Sequence, residues 1–243
     1  AAIGVMLALA PYNYPLNECY ATVIPALLMG NVVIIKIPTT GGLAHLMTFQ
    51  ALSETLPPGT INFISGSGRA TMPHVMKSGK IDILSFIGGS KAADELIHAH
   101  PHPHRLTTFL QLEAKNMGVL LPEVLRSDGG DESRLLLENA CQELAQGALS
   151  FNGQRCTATK IIFVPKSDAK TFLRHFQVWA EQHLLVGLPW EHKELDSRKV
   201  YPKITPLPIP GRIKYMKELI QDALEKGAKI QNIQGGEIIG GDE

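Results

Sequence analysis

Four short apolar runs rich in β-branched residues, at positions 4–9, 32–36, 60–65 and 81–86, are separated by stretches of helical periodicity at 18–29, 42–55 and 69–77. This alternation constrains the fold more than any other feature of the chain. A strand that returns parallel to its neighbour needs a crossover, so strand, helix, strand, helix implies an α/β domain built on a parallel sheet. The connectors agree with this reading. Gly30-Asn31, Pro57-Pro58-Gly59 and Ser78-Gly79-Lys80 put helix-stopping residues where each helix must hand the chain back to the sheet.

After Leu106 the pattern changes. Strands are expected at 107–112, 117–121 and 160–164, and helices at 135–149, 168–183 and 212–226, with a Pro-rich loop at 201–211. We place a domain boundary near Glu113, giving a first domain at 1–112 and a second at 113–243; a chain of 243 residues can fill either one large core or two modest ones. The polar segment Ser127-Asp128-Gly129-Gly130-Asp131-Glu132 reads as an exposed loop insertion. His98, His100, His102 and His104 alternate with Pro and read as a solvated loop, since no Cys or carboxylate stands at ligand spacing; no metal is expected. The chain opens inside an apolar strand and ends just after a Gly-flanked, strand-like stretch at 237–241, so an internal piece of a longer protein is expected.

The formal net charge is +0, without basic runs or basic and aromatic interleaving, which argues against a nucleic acid or an anionic membrane as partner. The apolar opening at 3–10 is too short to cross a bilayer. Cys19, Cys141 and Cys156 are widely spaced and form no Cys-x-x-Cys pair, as expected for a protein of a reducing cytoplasm with a small-molecule ligand.

The sharpest local signal is Ser150-Phe151-Asn152-Gly153-Gln154-Arg155-Cys156-Thr157-Ala158, a helix end that runs through a Gly into a small-residue loop and presents one cysteine beside an arginine. A neighbouring cation favours the thiolate, the nucleophilic form. Burial as an inert apolar side chain is the commoner fate of a lone cysteine, and it is the reading given to Cys19 and Cys141.

The segment Gly153-Gln154-Arg155-Cys156-Thr157-Ala158 resembles the active-site signature of the aldehyde dehydrogenase superfamily, and most closely its NADP-dependent, non-phosphorylating glyceraldehyde-3-phosphate dehydrogenase branch. Further matches follow in order: Pro11-Tyr12-Asn13-Tyr14-Pro15, Pro25-Ala26-Leu27 with Gly30-Asn31, Lys36, Phe86 with Gly88-Gly89, Lys115-Asn116, and Ile204-Thr205-Pro206-Leu207. The resemblance implies a parallel, Rossmann-like cofactor-binding sheet followed by the start of a second, catalytic α/β domain. It assigns Cys156 as nucleophile, and the Asn13 amide and the Cys156 backbone N–H as donors to the oxyanion.

No Gly-x-Gly-x-x-Gly follows the first strand, and Gly66-Ser67-Gly68 is only a partial echo. By resemblance the pyrophosphate contact falls instead to Gly88, Gly89 and Ser90, where a strand ends and a helix opens, with Phe86 nearby. Lys36 is implied at the adenosine ribose. Thr39 stands where NAD-preferring members carry a ribose-binding glutamate, so a 2′-phosphate is not repelled and NADP is favoured over NAD. Tyr14 and Arg155 match positions that the branch uses for the substrate phosphate, which suits a guanidinium fork.

One motif departs from the family. Where most members carry the water-activating glutamate of Glu-Leu-Gly-Gly-Lys, an ungapped match puts Gln111, whose amide accepts no proton. Either Glu113, two residues on and expected on the same strand face, takes that role, or the thioester passes to coenzyme A as in acylating relatives. A fold-retaining binding protein without turnover is the third reading, since the family's cofactor-completing Glu-x-Phe-Gly-Pro stretch is absent. The full-length protein is expected to be a homo-oligomer acting on a small aldehyde.

Overall fold

A computed structural model describes residues 1–125, 130–195 and 197–231. The chain divides into two compact units, Ala1–Glu113 and Ala114–Glu243. In the first, strands β1 (Val5–Leu9), β2 (Val32–Lys36), β3 (Ile61–Ile64), β4 (Ile83–Gly88) and β5 (Thr107–Leu112) alternate with helices α1 (Asn17–Leu28), α2 (Leu43–Thr55), α3 (Gly68–Lys77) and α4 (Ser90–Ala99). All pairings are parallel and the strand order is β3-β2-β1-β4-β5. This is the parallel α/β sheet expected from the alternation of apolar runs.

The central strand is apolar at every position because both of its faces are covered. Met6 and Ala8 pack with Cys19, Val23 and Ala26 of α1, whereas Leu7 packs with Met72 and Met76 of α3 and Leu96 of α4. Successive side chains point to opposite faces of a strand, so one five-residue run feeds two cores. Two polar side chains fix where that strand begins. Asn31 Oδ1 accepts from the N–H groups of Ile3 and Gly4 at 2.7 and 3.0 Å, while its Nδ2 donates to Ala26 O. Asp82 Oδ2 accepts from the Val5 N–H at 2.8 Å. The chain runs from β1 outward to β3 and then returns to β4 on the other side of β1. The carboxyl ends of β1 and β4 therefore flank the switch point, where open α/β sheets leave a crevice.

The second unit holds β6 (Asn116–Val119) parallel to β7 (Thr159–Phe163), with helices α5 (Gly130–Leu149), α6 (Ala169–His183) and α7 (Arg212–Glu225). Its core gathers Leu120, Leu125, Leu137, Cys141 and Phe172. Gly118 lets α5 approach β6, because a Cβ there would stand 2.6 Å from Leu144 Cδ2. An antiparallel hairpin, β8 (Lys193–Leu195) and β9 (Arg198–Val200), forms in a stretch whose periodicity gave no assignment.

Two local expectations are corrected. The polar insertion is not loop throughout: α5 begins at Gly130, so Asp131 and Glu132 lie in its first turn, where carboxylates favour a helix by meeting its positive end. Residues 126–129 and the strand-like 237–241 lie outside the described residues. The histidine series is not uniformly solvated either, since His98 closes α4, Pro103–Arg105 forms a 3₁₀ turn and His100 is only 4% exposed. Among the described residues no three His, Cys, Asp or Glu side chains group as a metal site, and no helix is long and apolar enough to cross a membrane.

Leu7 is fully buried at the centre of the sheet, so Leu7→Ala is expected to lower stability by about 2–5 kcal/mol through lost transfer energy and a cavity. The shift of the urea midpoint measures it.

Candidate active site

In the first unit, the residues singled out for a dinucleotide gather at the carboxyl ends of the strands. Lys36 ends β2 at 6% exposure, its Nζ donating to Ile37 O at 2.7 Å, and burial holds its ammonium below the usual lysine range. A solvated strand-end lysine would show neither. Gly68, at the start of α3, lies beside it: a Cβ there would be 3.8 Å from Lys36 Cε. Gly66 is exposed at φ +94° and Thr39 is exposed just beyond β2.

A cleft of about 770 Å³ opens between α3 and α4 over Leu9, Phe86 and Gly89 at the switch point. Gly88 closes β4, Gly89 precedes the helix and Ser90 opens α4. The Phe86 ring folds back over Gly88, where a Cβ would stand 2.5 Å from its Cζ. A crevice at the switch point, a glycine before a helix N-terminus and a buried ammonium are features that suit an anionic dinucleotide.

The N-terminus of α4 already holds an anion of the chain itself. Glu113 Oε1 accepts from the Ser90 backbone N–H and Oε2 from the Ser90 hydroxyl. These two hydrogen bonds hold the Glu113 carboxyl below its usual range. β5 ends at Leu112, and Glu113 turns into left-handed backbone at φ +49°, its N–H bonded to Gly88 O. The expectation that Gln111 and Glu113 share one strand face therefore fails: the alternation of a strand stops one residue before Glu113. Gln111 sits within β5, exposed and in register with Ile87.

Asn13 and Tyr14 lie in the half-buried loop between β1 and α1. That loop is tied at its end by the Glu18 N–H on Tyr14 O at 3.3 Å. Gly41 packs against it so closely that a Cβ would meet Tyr12 O at 2.9 Å.

In the second unit, Cys156 is reached through a turn of three consecutive left-handed residues, Phe151, Asn152 and Gly153, at φ +55°, +56° and +68°. Gly153 has no alternative, since a Cβ would stand 2.9 Å from Ala148 O. For Phe151 and Asn152 the conformation is uncommon, costing on the order of 1–3 kcal/mol each, and persists only where neighbours enforce it. They do so here. Asn152 Nδ2 donates to Thr205 O and Oγ1 at 2.9 and 3.0 Å, and its Oδ1 accepts from the Thr205 N–H at 2.9 Å. The Arg155 guanidinium lies 5.5 Å from the Phe151 ring centroid and donates to Ser150 Oγ at 2.8 Å. Asn116 Nδ2 donates to the Cys156 and Ala158 carbonyls.

Arg155 also lines a cleft of about 820 Å³ with Ser150, Phe151, Trp179, His183 and Lys203. Its Nε is buried and has no hydrogen-bond partner among the described residues. Arg155 and Lys203 bring two cations to this cleft, which Glu143 also lines, and a guanidinium there suits an anionic ligand group.

The three thiols differ sharply. Burial pushes Cys19 up to about 12 and Cys141 up to about 11, whereas Cys156 is only half-buried. Sequence reasoning missed Lys160, whose Nζ donates to Gly153 O at 2.8 Å, and the Asn152 clamp on Thr205. A lysine opening a strand carries no local signal. Asn152 two residues before Arg-Cys in a Gly turn was the available clue, because Asn tolerates left-handed backbone.

A model of the aldehyde dehydrogenase family matches residues 1–242. The NADP-dependent glyceraldehyde-3-phosphate dehydrogenase of Streptococcus equinus is 31% identical over 233 residues, 93% of this chain and 43% of that protein. The Pisum sativum enzyme of the same name is 30% identical over 232 residues, 93% of this chain and 41% of that protein. Among solved structures, the NADP-dependent glyceraldehyde-3-phosphate dehydrogenase of Bacillus halodurans complexed with NADP superposes with a TM-score of 0.78 at 31% identity, covering 98% of this chain and 45% of that one. The chain thus spans less than half the length of these relatives.

Two outcomes follow from the site. Ser90→Ala removes a hydrogen bond that the Glu113 carboxylate receives, so its titration, followed by carboxyl NMR, moves up toward the ordinary glutamate value. Because the folded value is the depressed one, this contact stabilises the fold above the unfolded glutamate value of about 4.3 and is lost as pH falls through the folded value. Iodoacetamide at mildly alkaline pH is expected to label Cys156 in the folded chain while sparing Cys19 and Cys141, as read by peptide mass spectrometry.

Proposed function

Because the chain belongs to the aldehyde dehydrogenase family, we propose that it carries the core of an NAD(P)-dependent oxidoreductase that converts a small aldehyde to its acid through a covalent intermediate on Cys156. Glyceraldehyde 3-phosphate is the substrate proposed, with NADP favoured over NAD. The observation that carries the reading is the enforced left-handed turn: it presents a half-buried cysteine beside an arginine that lines a cleft. Strain held in place by side chains is characteristic of sites that do chemistry.

The Cys156 thiolate adds to the aldehyde carbon; a C–S bond forms and the carbonyl pair becomes an oxyanion. The Cys156 backbone N–H donates to that oxygen, and family resemblance assigns the Asn13 amide as the second donor. Arg155, with Tyr14 by resemblance, holds the substrate phosphate. Lys36 and the α4 N-terminus at Gly88, Gly89 and Ser90 fit the dinucleotide, with Phe86, Gly66 and Thr39 bordering it. The absence of a carboxylate at Thr39 and the buried Lys36 ammonium favour the 2′-phosphate of NADP, in keeping with the names of the Streptococcus and Bacillus relatives. When bound, the dinucleotide supplies the hydride acceptor that turns the thiohemiacetal into a thioester.

Deacylation divides two readings. Water attack needs a base; Gln111 cannot serve, and Glu113 serves only once its carboxylate leaves Ser90. That engagement of Glu113, with an amide at position 111, favours transfer of the acyl group to coenzyme A as the second reading.

The test follows NADPH fluorescence with glyceraldehyde 3-phosphate and no added inorganic phosphate. Steady turnover that disappears in Cys156→Ala supports hydrolysis. Turnover only with coenzyme A, with an acyl-CoA product, replaces it with the acylating reading. No turnover in either case, with Cys156 reacting with iodoacetamide no faster than free cysteine, defeats both. Arg155→Ala is expected to lower kcat/KM about 10- to 100-fold for the phosphorylated aldehyde and little for a neutral one, the scale of one charge-assisted hydrogen bond.

A further inference from the structure

We propose that Lys160 is a positioning residue for the oxyanion step, its ammonium fixing and polarising the peptide group whose N–H is the Cys156 donor. This rests on the reading that Cys156 forms a thiohemiacetal.

A peptide bond is planar, so the carbonyl of residue 155 and the N–H of residue 156 belong to one rigid unit pointing in opposite directions. Whatever holds Arg155 O aims the Cys156 N–H. Two groups of the second unit hold it: the Ala158 N–H at 3.2 Å and Lys160 Nζ at 3.5 Å. The same ammonium donates to Gly153 O at 2.8 Å, so it bridges the last left-handed residue of the turn and the residue before the nucleophile. On the other side Asn116 Nδ2 holds the Cys156 carbonyl. The donor peptide is thereby held at its carbonyl, and the peptide that follows Cys156 is held by Asn116.

A cation on the carbonyl oxygen also draws electron density through the amide and makes its N–H a better donor, an effect that grows as negative charge develops opposite it. β7 starts at Thr159, so the side chain of Lys160 rises from the first turn-free backbone after the nucleophile. The ammonium is partly desolvated and lies near Lys115, both of which hold it below the usual lysine range, while proximity to Cys156 acts in the opposite sense.

The experiment compares Lys160→Met and Lys160→Arg with the wild-type full chain, after thermal melts establish that each is folded. Lys160→Met is expected to lower kcat tenfold or more with KM within about twofold, a fraction of the loss from removing an oxyanion donor outright. Lys160→Arg is expected to restore most of it. Alkylation of Cys156 by iodoacetamide, which develops no oxyanion, is expected to fall far less than kcat. An unchanged kcat in Lys160→Met, or alkylation falling in parallel with kcat, overturns the proposal, the second by placing the effect on the sulfur. Wild-type chain without turnover defeats the functional reading and this one together; normal wild-type turnover with unaffected Lys160→Met defeats this one alone.

Discussion

The turn that joins α5 to β7 is the constraint on which the proposed chemistry depends. Three residues in succession occupy left-handed backbone, and only one of them is glycine. An L-residue enters that region at a cost, so the conformation must be imposed from outside the segment. Two of the imposing groups come from far along the chain, Thr205 on Asn152 and Asn116 on Cys156, and a third, Lys160 on Gly153, from seven residues on. Each hydrogen bond contributes on the order of 1 kcal/mol net, and together they are of the size needed to hold two strained residues. A cysteine delivered this way has a fixed backbone, which donors to a developing charge require.

A comparable arrangement governs the other unit, with opposite chemical sense. Its sheet brings a helix N-terminus, a buried ammonium and a crevice to one edge, all of them attractive to an anion. The Glu113 carboxylate meets that attraction inside the chain, taking both the backbone N–H and the hydroxyl of Ser90. An anionic ligand at α4 and the Glu113 carboxylate draw on the same donors.

The buried cysteines illustrate how environment rather than residue type decides reactivity. Cys19 lies in the core beneath β1 and Cys141 in the core of α5 and α6, and desolvation keeps both thiols protonated. Cys156 is only half-buried, because it lies in the turn outside the helix packing.

The apolar runs around Leu7, Ile34 and Leu84 were enough to define a parallel α/β sheet, because two-sided burial demands continuous hydrophobic strands and crossovers follow from parallel pairing. The Gly-Gln-Arg-Cys segment singled out Cys156 and Arg155 as candidates through its resemblance to the family signature. Only the tertiary structure decided the strand order, the left-handed φ of Glu113 that broke its expected alternation with Gln111, the helical start of α5 at Gly130, and the partners of Asn152 and Lys160. The strand order and the Asn152 partner depend on groups brought together across long separations, and the rest on local backbone conformation and single hydrogen bonds, none of which leaves a periodicity in the sequence to read.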